Sequence, residues 1–343
     1  MANAIQGFAC GNTNMDQSAK FQADFEKEFQ TAQHLVNSPG VFNSARLYTN
    51  VQAETTDTPI EAFQAAINTN TSLLLGIWCS GTASITNELK ALSTALDQFG
   101  SSLADLVVGI SVGSEDMYRA SDSGVKNEAG IGASPDAIVK FINETRKAIE
   151  GTPLSDKLVG HVDTWSAWSN ESNKAVVDAV DWVGTDLYPF FEYELDNTFD
   201  NAVSIFDDLY QTTVNASQDK PVWITETGWP KSGDGKGKAT TGVDLMASYW
   251  QEIGCNKLFG RTNTWWYTLK DADAASAQKF AVTDDDLSTS ALFDMTCANG
   301  SGAPATVNVG EWKESGSGRL VSDVSTVGLL VVAFGLLSSF GGL

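Results

Sequence analysis

Eight apolar runs of strand length, separated by helical patterns, limit what this chain can fold into more than any other feature. They are IQGFACGN (5–12), FNSARLYTN (42–50), SLLLGIWCS (72–80), LVVGISVGSE (106–115), KLVGHVDTWSAW (157–168), DWVGTDLYPF (181–190), KPVWITETGWP (220–230) and RTNTWWYTLK (261–270). Several are apolar on both faces, as buried parallel strands require. Between them, Phe21, Phe25 and Phe29 recur at every fourth residue. Thr58-Pro59 opens a pattern continued by Ile60, Phe63 and Ile67, with Pro at the first helical position. Ile85, Leu89, Leu92, Leu96 and Phe99 follow helical spacing, as do Ile138 and Ile142 behind Ser134-Pro135, and Phe199, Val203, Phe206 and Tyr210. A last helix is expected near 286–297. Eight strand-helix units in about 300 residues predict one α/β domain, a (β/α)8 TIM barrel over residues 1–298. The competing open, doubly wound sheet calls for a glycine-rich phosphate loop, and GxGxxG is absent.

The 343 residues carry 43 acidic and 21 basic side chains, a net charge of −22. Such a surface repels phosphate backbones and anionic lipids, which argues against a nucleic-acid partner. Of the two histidines, His34 falls in a helical pattern and His161 inside a strand run. A Ser-His-Asp or Cys-His site would have to draw its base from these two. Cys10, Cys79, Cys255 and Cys297 are scattered without a CxxC, so neither zinc nor thioredoxin-like chemistry is supported. Their even number fits two disulfides or a reduced protein, and features nearer the C-terminus favour disulfides. No cofactor and no metal are expected, and the protein is expected to be a monomer. Sequons at Asn70, Asn143, Asn170, Asn215 and Asn299 permit glycosylation.

Residues MANAIQGFAC have neither a basic n-region nor an apolar h-region, so they are not a signal peptide. Residues 299–323 are largely Gly, Ser and Ala at their start and read as a linker. From Val324 to Leu343 no charge occurs. Ser315, Gly316, Ser317 and Gly318 precede this tail by a short polar spacer. Small residues, spacer and apolar tail are the layout of a glycolipid-anchor signal, with a spanning helix as the alternative. The expectation is a secreted protein held at the cell surface or wall, meeting the membrane only through a lipid.

In a (β/α)8 barrel, functional groups gather where strands end. Two of the eight runs end in glutamate: the fourth at Glu115, in GISVGSED, and the seventh at Glu226, in VWITETGWP. Two carboxyl groups at one barrel mouth suit glycoside cleavage, one protonating the leaving oxygen and the other attacking the anomeric carbon or activating water. A structural glutamate at a strand end is the competing reading for either alone. Trp78, Trp165, Tyr188, Phe190, Phe191, Trp229, Trp265 and Trp266 lie at or just past strand ends. Sugars stack their C–H faces on such rings, and about half of these are expected to line a groove, the rest to fill core.

VWITETGWP resembles the nucleophile signature of family-17 glycoside hydrolases, the β-1,3-glucanases and glucan transferases. SVGSE resembles their acid/base segment, and RLYTN (46–50), DLYPFF (186–191) and TWWYTLKD (264–271) resemble further blocks of the fungal, wall-acting members. The resemblance spans about residues 4–297. It implies Glu226 as nucleophile, Glu115 as general acid/base, and retention through a covalent glucosyl-enzyme. Arg46, Tyr48 and Tyr188 would hold the reacting sugar and steer Glu226. Trp265 would form the sugar floor, with Phe191 and Trp229 as further substrate contacts. Two positions depart from the pattern: Ser114 stands where related enzymes carry Asn, and Asp186 where Asn is frequent. The implied substrate is β-1,3-glucan or its laminari-oligosaccharides, with transfer to a second glucan ahead of hydrolysis. The loop KSGDGKGKATTG (231–242) is either an acceptor-side element or a flexible linker. A wall-binding barrel without catalysis is the reading from another class, and intact Glu115 and Glu226 oppose it.

Overall fold

The computed structural model describes residues 4–298. The eight runs form eight parallel strands: β1 Gln6–Cys10, β2 Ser44–Leu47, β3 Ser72–Ile77, β4 Val107–Ser114, β5 Val159–Thr164, β6 Trp182–Asp186, β7 Val222–Glu226 and β8 Thr264–Trp266. They pair in chain order, and β8 closes on β1 through Gln6 opposite Thr264 and Phe8 opposite Trp266. The expected (β/α)8 barrel is therefore the fold. The expected linker and tail, 299–343, lie outside the described residues. Among the described residues no helix is long and apolar enough to cross a membrane.

Helices pack outside the cylinder where the periodicity predicts them. Pro135–Ile149 starts on Ser134, whose Oγ accepts the Ala137 N–H, and buries Ile138, Phe141 and Ile142. Gln22–Gln33 buries Phe25 and Phe29, but Phe21 caps it and is exposed. Pro59 does not open a helix. It pairs with Val51 in an isolated bridge, and the helix runs over Ala62–Thr69. The helix expected near 286–297 is absent. Asp284 accepts the Ser288 N–H and Asp294 the Thr296 N–H. Short polar side chains thus take backbone donors that a helix would need.

The barrel interior is closed by tryptophan. Trp182 and Trp223 stack with centroids 4.1 Å apart, and Trp265 tilts against Trp223 at 6.0 Å. Leu74 and Val162 complete this layer. A Cβ on Gly160 would fall 2.2 Å from the Trp182 ring, so the absence of a side chain there makes room for the indole. Alternate residues of a strand share a face. On β2 that puts Ser44, which accepts the Trp265 indole N–H at 3.0 Å, one layer beneath Arg46. The tryptophans are thus the floor on which the polar residues of the strand ends stand.

Of the four cysteines, Cys255 and Cys297 form a disulfide, while Cys10 and Cys79 are buried thiols. The expectation of two bridges is met by one. The bridge ties residue 297 back to the segment Trp250–Leu258 across a sequence separation of 42. Closing a loop of that length is worth about 2–4 kcal/mol. Cys297→Ser is expected to lower the denaturation midpoint accordingly, measured by urea unfolding without reductant.

Candidate active site

Both glutamates are aimed by irregularities in their strands. On β7 the register with β6 runs Thr185 opposite Ile224 and then Asp186 opposite Glu226. Thr225 is skipped, and the bulge puts Glu226 where Thr225 would otherwise face the axis. On β4 the pairing with β5 slips between Ser111 and Ser114. Gly113 sits there at φ +93°, and a Cβ would meet Asp116 Oδ2 at 2.3 Å and the His161 ring at 2.9 Å. Glu115 itself has φ 56°, ψ 26°, a left-handed conformation rare for glutamate. The surroundings over-determine it. Its N–H donates to the Val162 carbonyl at 2.8 Å, and Asp116 accepts the Ser114 N–H at 2.8 Å. Asp163 accepts the Met117 and Thr164 N–H groups at 2.8 Å and contacts His161 Nε2 at 3.1 Å.

Around Glu226 every polar partner is a donor, the set a carboxylate anion accepts. Arg46 Nη1 reaches Oε1 at 2.6 Å, Tyr48 Oη donates a short bond to the same oxygen, and Tyr188 Oη donates to Oε2 at 2.7 Å. Burial and the neighbouring Glu226 carboxylate hold both tyrosine hydroxyls well above their ordinary pKa, so they stay donors. Arg46 is fully buried and also bonds the Thr225 carbonyl at 3.2 Å and Ser114 Oγ at 2.8 Å. Ser114, where the resemblance leads one to expect Asn, is thereby an acceptor for this arginine.

Glu115 lives in the opposite environment. Its partner is Arg119, whose Nη2 lies 3.2 Å from Oε2. Burial pushes the Glu115 carboxyl up to about 8, Arg119 opposes the rise, and Glu226 and Asp163 add to it. Arg119 is a site residue that sequence reading missed. Its place one helical turn after Glu115 was the available signal.

The two glutamates, Ser114, Tyr48, Trp78, Arg119 and Tyr267 line one cleft of about 860 Å³, including its open mouth. Trp78 carries Arg119 near its face, with the guanidinium 5.6 Å from the ring centroid. Tyr267, also missed, follows the Trp pair of β8 in the quoted block. Six expected substrate contacts do not line the cleft: Arg46 and Tyr188 stand behind it as partners of Glu226, Asp186 is enclosed at the end of β6, and three others lie further off. Trp265, expected as the sugar floor, belongs instead to the tryptophan layer that floors the barrel. Trp229 is fully buried against Phe190, Phe199 and Tyr249, its indole N–H held by the Thr240 carbonyl at 2.9 Å. Phe191 packs between Tyr188, Phe190 and Phe280. These rings anchor the loops after β6 and β7, because burying a large aromatic there stabilises more than exposing it. The loop 231–242 is not slack: Ser232–Gly233 pairs antiparallel with Gln278–Lys279, and Gln278 lines the cleft.

Residues 7–284 match the family model of the BtgE/BtgC glycoside hydrolase domain. The chain belongs to this glycoside hydrolase family. Among its relatives is the probable glucan endo-1,3-beta-glucosidase eglC of Aspergillus niger, 52% identical over 297 residues, which are 86% of this chain and 64% of the relative. The chain thus spans just under two thirds of that relative's length. The β-1,3-glucanosyltransferase of glycoside hydrolase family 17 from Rhizomucor miehei superposes with a TM-score of 0.66 at 20% identity, covering 83% of this chain and 98% of that one. An active-site mutant of the R. miehei enzyme in complex with laminaritriose gives 0.64 at 19% identity, with the same coverage. The resemblance read from the motifs is borne out at the level of family, and the structural likeness shows the barrel.

The glycoside hydrolase barrel carries a stability cost at Glu115. Its folded pKa, about 8, lies above the ordinary 4.5. The folded state therefore binds the proton more tightly than the unfolded chain, and stability falls as pH rises from about 4.5 to about 8. Below that window there is no penalty, and above it the penalty is constant. Glu115→Gln is expected to flatten this decline and to exceed the parent protein in stability at pH 8, measured by denaturant unfolding across pH.

Proposed function

We propose that this protein is a retaining enzyme acting on β-1,3-glucan, with Glu226 as nucleophile and Glu115 as acid/base. The observation that carries this reading is the pairing of two carboxyl groups in opposed environments on one cleft. Glu226 is surrounded by donors, and Glu115 is buried and raised to about 8. Environments that push two carboxyls apart are how one fold supplies an acid and an anion at one pH. Glu226 attacks the anomeric carbon as Glu115 gives its proton to the departing sugar oxygen. Glu115, now a base, takes a proton from the acceptor hydroxyl, which displaces Glu226. Arg46, Tyr48 and Tyr188 hold the nucleophile in line, and Trp78 and Tyr267 offer rings to sugar faces. β-1,3-Glucan as substrate is supported by the relative's name at 52% identity.

The acceptor is a second sugar chain in the reading favoured here. Rings beside the cleft raise the effective concentration of a sugar hydroxyl over water. Hydrolysis is the second reading, favoured by the name of the Aspergillus niger relative. Incubation with laminaripentaose, followed by product sizing, separates them. Products longer than the substrate establish transfer, and exclusively shorter ones remove that part of the proposal. Outside the described residues, the Gly/Ser-rich segment and the apolar stretch 324–343 suit a lipid tether at a fungal cell wall, and the Cys255–Cys297 bridge suits an oxidising compartment.

Glu226→Gln is expected to lose several orders of magnitude in turnover while remaining folded, as removal of a nucleophile does. Circular dichroism and oligosaccharide release check the two halves. The alkaline limb of kcat/KM on laminarin should fall near pH 8, where Glu115 loses its proton. Arg119 opposes that rise, so Arg119→Met is expected to move the limb to higher pH, and an unmoved limb would detach it from Glu115.

A further inference from the structure

We infer that Asp186 works as a neutral carboxylic acid, a positioning residue that leaves Arg46 committed to Glu226. This rests on the retaining reading of the glutamates and explains a residue that reading leaves over. Asp186 is fully enclosed at the end of β6, directly opposite Glu226 in the register. Its Oδ1 accepts one bond, from Thr225 Oγ1 at 2.7 Å. Its Oδ2 is buried with no hydrogen-bond partner among the described residues. Arg46 Nη1 stands 3.6 Å from Oδ1, beyond hydrogen-bond reach. Both hydrogens of that nitrogen are taken, by Glu226 Oε1 and the Thr225 carbonyl.

The groups facing Asp186 are Arg46 from β2, Glu115 from β4, and Thr225 and Glu226 from β7, with Tyr188 two residues further along its own chain. One buried guanidinium therefore meets two carboxyls, and three donors have settled on Glu226 against one on Asp186. An enclosed anionic oxygen without a donor is far more costly than an enclosed O–H without an acceptor. Burial first, and the Glu226 charge second, hold the Asp186 carboxyl well above the usual range. In its protonated form Asp186 has one acceptor oxygen and one donor edge, the shape of asparagine. On ionisation the proton leaves for solvent, and a second carboxylate 3.6 Å from Arg46 competes with Glu226 for it.

Two measurements test this, one independent of turnover. In Glu115→Gln at neutral pH, infrared spectroscopy should show a protonated-carboxyl C=O band that Glu115→Gln/Asp186→Asn lacks. Identical spectra would overturn the proposal. The second uses dinitrophenyl β-laminaribioside, whose leaving group departs without a proton from Glu115. Asp186→Ala is expected to lower kcat/KM about 100-fold, as loss of a buried polar partner does. Asp186→Asn should recover at least about tenfold of that, on the same scale of magnitude, and lose the alkaline decline of the parent enzyme. An Asn variant no better than Ala, or one declining with the parent, would also overturn it. A parent enzyme inactive on every laminari-substrate would sink the proposed function and leave the infrared result standing.

Discussion

Arg46 and Glu226, 2.6 Å apart and both buried, form the contact around which the barrel mouth is arranged. A buried ion pair is not in itself a strong source of stability, since desolvation offsets much of the attraction. Taking away one partner, however, costs roughly 3–5 kcal/mol, because a charge is left unpaired. The pair therefore fixes geometry more than it stabilises the fold. From β2, Arg46 reaches β7 through Glu226 and the Thr225 carbonyl, and β4 through Ser114. Three strands that contribute to the cleft are thus keyed to one side chain. That side chain in turn stands above Ser44 and the Trp265 indole it receives.

The backbone irregularities follow from the same demand. A regular parallel barrel presents alternate residues inward. A regular β7 would present Thr225 to Asp186 and leave Glu226 to the outer, apolar shell. The skipped residue brings Glu226 opposite Asp186 in the register, while Thr225 keeps its hydroxyl on Asp186 and its carbonyl on Arg46. On β4 the slip and the left-handed turn do the equivalent for Glu115. The cost in backbone strain is borne by a dense local network, with Asp116, Asp163 and His161 holding the turn. Burial opposes a charge on His161, but its bond to Asp163 and the nearby Asp116 hold it above its ordinary pKa. This histidine is a brace within that network.

The barrel and its two glutamates were legible because the signals are local. Eight apolar runs count themselves, and a glutamate at a strand end is visible without knowing its neighbours. The aromatics were not legible in the same way. Trp78, Trp229 and Trp265 all sit near strand ends, yet one lines the cleft, one anchors a loop and one floors the barrel. The two buried indoles are held by acceptors, the Thr240 carbonyl for Trp229 and the Ser44 hydroxyl for Trp265, whose positions depend on tertiary placement. Arg119 and Tyr267 were missed for a related reason. Arg119 became a cleft residue only through the left-handed turn at Glu115, and Tyr267 lies just past the end of β8, two residues beyond Trp265. The absent helix at 286–297 shows the converse, with Asp284 and Asp294 capturing backbone donors over an otherwise acceptable pattern.

Three carboxyls and one fully buried guanidinium at a barrel mouth cannot all be treated alike. The donors each one meets differ. Glu226, with Arg46 and two tyrosine hydroxyls, has enough donors to carry a charge. Glu115 has Arg119, itself near the face of Trp78 and only partly enclosed, and a carboxyl so placed can alternate between acid and base. Asp186 has a single hydroxyl donor. If it too were charged, Arg46 would be divided between neighbours that face each other across β6 and β7, and under the proposed retaining reaction Glu226 would lose the orientation that attack demands. On the proposal made here, Asp at a position where the resemblance implies Asn is accommodated because burial makes the acid behave as the amide would. The same burial that disfavours a third charge therefore preserves the division of labour between the other two.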